Sequence, residues 1–363
     1  MSLISHNYPL EYPYNRQWAI NSVDLRRYLT LQNNWSKSVE LIDRIRECLN
    51  KAEIHSAVET VAAAGSIGRM EASPDVSDAD LIIVLSNETA LPKEPEPESE
   101  AIKAYESVWK ALEPLRIDLP KRTGVFALPT NEKQLLYDVG KADESLPVFG
   151  KRLLLLLESQ PVYKDDNYTH LINAIVDRYA AKYVKIDSKK EWTLLLNDLI
   201  RYFRSLAVNY QWDFDNELEK WPLRNIKLRH SRLVMYGGLL MLLGEASKER
   251  SDKVSWLQER LKMTPLERLA WIYEQNQDWN FHRIAGPYDV FLSQLNNPEV
   301  RAKLNVDPAS NNRDDEDSYR ERYRIREFAA LKANSDGLIA ELLRFIMARR
   351  GSWSERFFEY LIF

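Results

Sequence analysis

Two aspartates, Asp78 and Asp80, stand one residue apart in SDADLIIVL, and the second leads directly into an apolar run of strand type. Along a strand, residues two apart project from the same face. The two carboxylates therefore point out side by side, while Ala79 and Leu81 point the other way into a core. Neighbouring carboxylates repel, so either one takes up a proton or a cation sits between them. Magnesium suits such a pair: it takes oxygen ligands, needs few carboxylates and completes its shell with water and substrate phosphates. Asp118, in LRIDLP, is flanked by Ile117 and Leu119. It projects from one face of another short apolar strand, where it would complete a three-carboxylate site. Upstream, Gly65 and Ser66 supply the counterpart. Glycine lets backbone approach a ligand closely, and exposed N–H groups with the Ser66 hydroxyl suit phosphate oxygens. Gly68 keeps the turn slim, and Arg69 offers a forked cation. Metal ligands facing phosphate donors describe phosphoryl or nucleotidyl transfer, in which two metal ions held by shared aspartates activate a hydroxyl and neutralise the leaving pyrophosphate. Asp118 would accept the hydroxyl proton or bind the metal that lowers its pKa.

These side chains need elements to hold them. The spacing of Val39, Leu41, Ile42, Ile45 and Leu49 predicts a helix over about Ser22–Ala52. HSAVETVAAAGS then turns small and apolar, a loop containing Pro74 comes next, and DADLIIVL reads as a strand. SNETALPKEPEPESE is a solvated, semi-stiff loop. AIKAYESVWKALEPL reads as a helix closed by Pro114, and RIDLP and TGVFALP read as two short strands about a turn at KRTG. From Leu153 onward the pattern is helical nearly to the end, broken by the polar stretch DPASNNRDDEDS. The fold expected is α+β: an extension (1–38), a small mixed-sheet catalytic domain (39–150) and a large all-helical domain (151–363).

Within that helical half, Arg224, Lys227 and Ser231 fall three and four apart and share a face, with Arg229 and Arg232 as an adjacent stripe. Two readings fit: solvated charges on an amphipathic helix, or a face that closes over a triphosphate or its acceptor. Arg201 and Arg204 carry the same pair of readings. The five histidines show no metal spacing.

Composition narrows the class. The 363 residues are 45% hydrophobic and 29% charged, enough for a large core. A net charge of -4 argues against coating long nucleic acid by charge alone, although a local basic patch can sit in an acidic total. Cys48 is the single cysteine, so no intrachain disulfide forms. The N-terminus lacks a signal-peptide pattern and the longest apolar run is too short for a bilayer, which predicts a cytoplasmic protein that engages no membrane. Of the aromatic residues, most are expected to fill the core, and one or two to stack on a base.

The combined pattern of Gly-Ser, Asp-x-Asp opening an apolar strand, and a separate Asp resembles the DNA polymerase beta-like nucleotidyltransferase superfamily. GSIGRMEASPDVSDADLIIV is most similar to the bacterial branch that includes glutamine-synthetase adenylyltransferase, and LRIDLPKRTG is similar to its third-carboxylate strand. The resemblance covers roughly residues 40 to 130. It implies a nucleoside triphosphate substrate bound through Gly65, Ser66, Gly68, Arg69 and the Arg224, Lys227, Ser231 face. It also implies Asp78, Asp80 and Asp118 as catalytic metal ligands, and one or two Mg²⁺ ions with Mn²⁺ as a substitute. The acceptor is expected to be a nucleotide or oligonucleotide hydroxyl, for template-independent polymerisation or signal-nucleotide synthesis as in antiphage branches. The alternatives are a protein hydroxyl (AMPylation), an RNA end, or a non-catalytic nucleotide sensor.

Overall fold

The computed structural model describes residues 28–75, 78–92, 98–120, 124–137, 139–141, 143–186, 191–216, 221–305 and 324–362. Most of the expected N-terminal extension, part of the proline-rich loop, residues 121–123 of the KRTG turn and the polar break at 307–318 lie outside these. Helix α1 (Leu29–Lys51) buries Leu31, Trp35, Leu41, Ile42, Ile45 and Leu49, one stripe at helical period. It crosses residue 38 unbroken, so the extension and the catalytic region share a helix. The Asp289 carboxylate accepts the Leu31 N–H at 2.8 Å, meeting one of the amides a helix start leaves without an internal partner.

The sheet has four strands in the order β3-β2-β1-β4 and is mixed. Central β1 (Val58–Ala63) pairs antiparallel with β2 (Leu81–Leu85) and with β4 (Gln160–Tyr163), and β2 pairs parallel with β3 (Thr130–Asn131). Every residue of β2 is buried, as LIIVL demands. Two sequence expectations change here. TGVFALP is not a strand; the third pairing partner is the short β3 just after it. The chain is also not helical throughout after Leu153, because β4 completes the sheet beyond residue 150.

Around the sheet lie one-turn helix α2 (Gly65–Gly68), α3 (Glu100–Leu112), α4 (Glu132–Tyr137), α5 (Leu146–Leu157) and α6 (Asp165–Ile186). The Ser99 side chain caps α3 by accepting the Ile102 N–H, and a 3-10 turn containing Pro114 ends it. The helical part comprises α7 (Thr193–Asn216), α8 (Trp221–Lys227), α9 (Leu233–Ala246), α10 (Lys253–Leu261), α11 (Pro265–Gln275), α12 (His282–Asn296), α13 (Pro298–Leu304), α14 (Arg326–Ala348) and α15 (Glu355–Ile362). A π-turn, Leu228–Arg232, joins α8 to α9 without a break. One continuous hydrophobic core runs through the sheet and both sets of helices. The architecture is therefore α+β, a small mixed sheet with a largely helical remainder. No helix among the described residues is long and apolar enough to cross a membrane.

Candidate active site

Strand register brings the chemistry-bearing residues together. Ala63 pairs with Leu81 on one side and Gln160 on the other, so the turn after β1 lies between the residues preceding β2 and β4. Asp80 directly precedes β2, and Glu158 stands two residues before β4. Ala64 donates its N–H to the Asp80 carbonyl oxygen at 2.7 Å, and Gly65 donates its N–H to Glu158 Oε1 at 2.9 Å. Gly65 has a φ of 64°, in the left-handed region glycine occupies without cost. A Cβ there would lie 2.2 Å from Asp80 Oδ2, so the carboxylate seats directly over the bare Cα.

The predicted alternation holds at the carboxylates. Ala79 and Leu81 are buried, Asp78 is exposed and Asp80 is half-buried. The segment carrying Asp118 lies beside them: Asp78 and Asp118 form a parallel bridge. RIDLP, expected as a strand, forms only this one bridge among the described residues, which still sets Asp118 next to the pair, with Asp118 exposed. Burial pushes the Asp80 carboxyl above the usual carboxylate range; Glu158 and Asp78 push the same way, against Arg232 and Arg69.

A cavity of about 190 Å³ opens over Ser66, Asp78 and Asp80. It is also lined by Lys227, Ser231 and Arg232 from the α8–π-turn segment, and by Arg301 from α13. Burial lowers the Lys227 ammonium to about 8, helped by the nearby cations Arg301, Arg232 and Arg69, with Asp78 pulling the other way. Neither Arg224 nor Asp118 lines this cavity. The inward set is Lys227, at the end of α8, with Ser231 and Arg232 from the π-turn, while Arg224 lies off the cavity. Arg229 turns away, its Nε donating to Ser335 Oγ at 2.7 Å and its guanidinium pairing with Asp336.

Arg69 lines the cavity but is engaged from behind, paired with Glu158 at 2.6 Å and Glu71 at 3.0 Å. Ser231 likewise donates its hydroxyl to Glu71 Oε2 at 2.9 Å, and the Tyr288 hydroxyl donates to Glu71 Oε1. Glu158 accepts Arg232 Nη1 at 3.2 Å as well. Burial alone would raise the Glu158 carboxyl, yet Arg69 and Arg232 hold it below its ordinary value. Arg201, the other cation read from sequence, braces the interior: it pairs with Glu144 at 3.1 Å and lies over the Phe149 ring.

Glu71, Glu158, Tyr288 and Arg301 were not legible as site residues. The one sequence signal was Glu158 itself, a carboxylate closing a leucine run that must be buried and hence paired.

The donor set fits a small divalent ion. The side-chain carboxylates of Asp78 and Asp80 accept no hydrogen bond and form no ion pair among the described residues, and Gly65 leaves room for the Asp80 carboxylate. Two carboxylates suffice for Mg²⁺, which draws its remaining ligands from water and phosphate. No cluster of three or more His, Cys, Asp or Glu with metal-holding geometry exists among the described residues, so the chain by itself offers an incomplete shell. Comparisons with protein-family models, curated proteins and solved structures find no match.

Proposed function

We propose that this protein is a magnesium-dependent nucleotidyltransferase, moving a nucleoside monophosphate from a nucleoside triphosphate to a hydroxyl and releasing pyrophosphate. The observation that carries the reading is the polarity of one cavity. Two carboxylates that form no hydrogen bond or ion pair among the described residues, Asp78 and Asp80, share its lining with Lys227, Arg232 and Arg301. Such a cleft is matched by a ligand that is itself bipolar, a polyphosphate carrying a divalent cation.

Asp78 and Asp80 would hold Mg²⁺, with Asp118 on the bridged segment as the further carboxylate. When bound, the metal supplies charge neutralisation at the phosphates and lowers the pKa of the attacking hydroxyl. Lys227, Arg232 and Arg301 hold the β- and γ-phosphates, and the Ser66 hydroxyl donates to a phosphate oxygen. The acceptor oxygen bonds to the α-phosphorus, the α–β bridging bond breaks, and pyrophosphate leaves against the cationic wall. Asp118, beside the cavity on the bridged segment, would accept the hydroxyl proton or bind the metal that lowers its pKa.

For the acceptor, a nucleotide or oligonucleotide 3′-hydroxyl is favoured, as in signal-nucleotide synthesis for antiphage defence. Arg204, Val208 and Trp212 support it: they recur every four residues on one exposed face of α7, a cation and a large aromatic suited to stacking a base.

Pyrophosphate release tests the reading. Each nucleoside triphosphate is incubated with the protein, with and without an oligonucleotide acceptor. Release that requires Mg²⁺ and stops with a chelator is expected; no release from any triphosphate under either condition contradicts it.

A further inference from the structure

Glu158 is 1% exposed and does not line the cavity, yet both the Gly65–Arg69 turn and the π-turn reach it. Its Oε1 accepts the Gly65 N–H at 2.9 Å, its Oε2 accepts Arg69 Nη1 at 2.6 Å, and Arg232 Nη1 lies 3.3 and 3.2 Å from the two oxygens. A Cβ on Gly68 would lie 2.3 Å from the Glu158 carbonyl oxygen, so the turn also packs against its backbone. One carboxylate thus joins the Gly-Ser turn, the sheet's edge strand and the π-turn.

The two arginines are not equivalent. Arg69 carries two buried ion pairs, with Nη1 on Glu158 and Nε 3.0 Å from Glu71 without a hydrogen bond. Arg232 gives Glu158 only Nη1; its Nε and Nη2 meet no acceptor among the described residues, and the side chain lines the cavity. A guanidinium is a planar fork, so a carboxylate gripping one nitrogen fixes where the others point.

We infer that Glu158 is a positioning residue that aims the Arg232 guanidinium at the triphosphate, with Arg69 as its strut. The inference rests on the nucleotidyl-transfer reading for the ligand's identity. It also makes a prediction whose sign opposes simple electrostatics. Deleting a negative charge beside two arginines should tighten anion binding if charge is all that matters. Loss of aim should weaken it.

The test is a double-mutant cycle on binding of inorganic tripolyphosphate with Mg²⁺, measured by titration calorimetry on the full chain. Glu158→Gln is expected to weaken binding by about tenfold, the scale of one hydrogen bond to a charged group. In an Arg232→Gln background the same change should move affinity less than about twofold, because the residue acts through Arg232. Equal weakening in both backgrounds would mean a merely structural counter-ion and would overturn the inference, as would tighter binding by Glu158→Gln. Should Glu158→Gln not fold, Arg232→Lys carries the test: it keeps the charge and loses the held fork. About tenfold weakening is expected, and wild-type affinity overturns the idea. No binding of tripolyphosphate by the wild-type protein removes both this inference and the reading beneath it. Binding by the wild type with an additive cycle removes this one alone.

Discussion

Gly65→Ala tests the seat of the Asp80 carboxylate. At a φ of 64° an alanine backbone costs roughly 1–2 kcal/mol. The added Cβ would stand 2.2 Å from Asp80 Oδ2 and 3.0 Å from its Cγ. Asp80 cannot retreat as a whole, because its carbonyl is held by the Ala64 N–H at 2.7 Å. Its carboxylate must swing off the turn instead, and overpacking of this kind costs roughly 1–3 kcal/mol more. A total near 3 kcal/mol, set against an unfolding entropy of roughly 2 cal/mol/K per residue, lowers Tm by about 4 °C for a chain of 363 residues. Gly124→Ala is the control. Its φ is 104°, but its Cβ would meet nothing within 4 Å, so it carries the backbone cost without touching the site. Thermal melts should show both variants destabilised. Electron paramagnetic titration with Mn²⁺ should show metal affinity lost in Gly65→Ala and kept in Gly124→Ala. Wild-type Mn²⁺ affinity in Gly65→Ala would refute the claim that this glycine exists to seat Asp80.

Three further perturbations draw on the same geometry. Asp80 has a raised folded pKa, so the folded state binds its proton more tightly than the unfolded state, and ionisation opposes folding as pH rises. Asp80→Asn should therefore melt above wild type at pH 7 without divalent ions, by a margin that shrinks toward pH 4; Mg²⁺ should stabilise wild type but not the variant. His230, buried and lowered to about 4, is protonated in the unfolded state first, so its contribution is lost as pH falls from 6.5 through 4. The loss reaches on the order of 3 kcal/mol, and denaturant titrations of His230→Gln should show a flatter acid limb than wild type. Lys227, lowered to about 8, should react with an acylating reagent near pH 8 ahead of ordinary surface lysines, and a nucleoside triphosphate with Mg²⁺ should protect it. Mass-spectrometric labelling that ignores the nucleotide would place the phosphates elsewhere.

What the sequence disclosed depended on whether its pattern was local. Asp78 to Leu81 alternate outward and inward because strand period is two, and that is readable in four residues. The helical face was legible in part: Lys227 and Ser231 line the cavity, Arg224 does not, and Arg232 of the adjacent stripe does. No spacing rule foretells the π-turn at Leu228–Arg232 that carries Ser231 and Arg232. β4 was hidden because QPVY is four residues long and comes two residues after a leucine run that reads as helix. Glu158 and Glu71 were hidden by distance. Glu158 binds Gly65 from 93 residues away, and Glu71 meets Tyr288 from 217 away, so only the assembled sheet and helices bring their charges together.

Whether Asp78 and Asp80 serve nucleotidyl transfer in this cavity is tested most directly by incubating the protein with Mg²⁺ and each radiolabelled ribo- and deoxyribonucleoside triphosphate, alone, with an oligonucleotide, and with cell extract. The Asp78→Ala, Asp80→Ala double variant, shown to be folded by its melt, runs alongside. Label transferred into a larger nucleotide, an oligonucleotide ladder, a protein or an RNA by wild type, and lost in the double variant, is the predicted result. The product would name the acceptor. Equal transfer by the double variant, or none by wild type with any triphosphate and acceptor, would contradict the assignment.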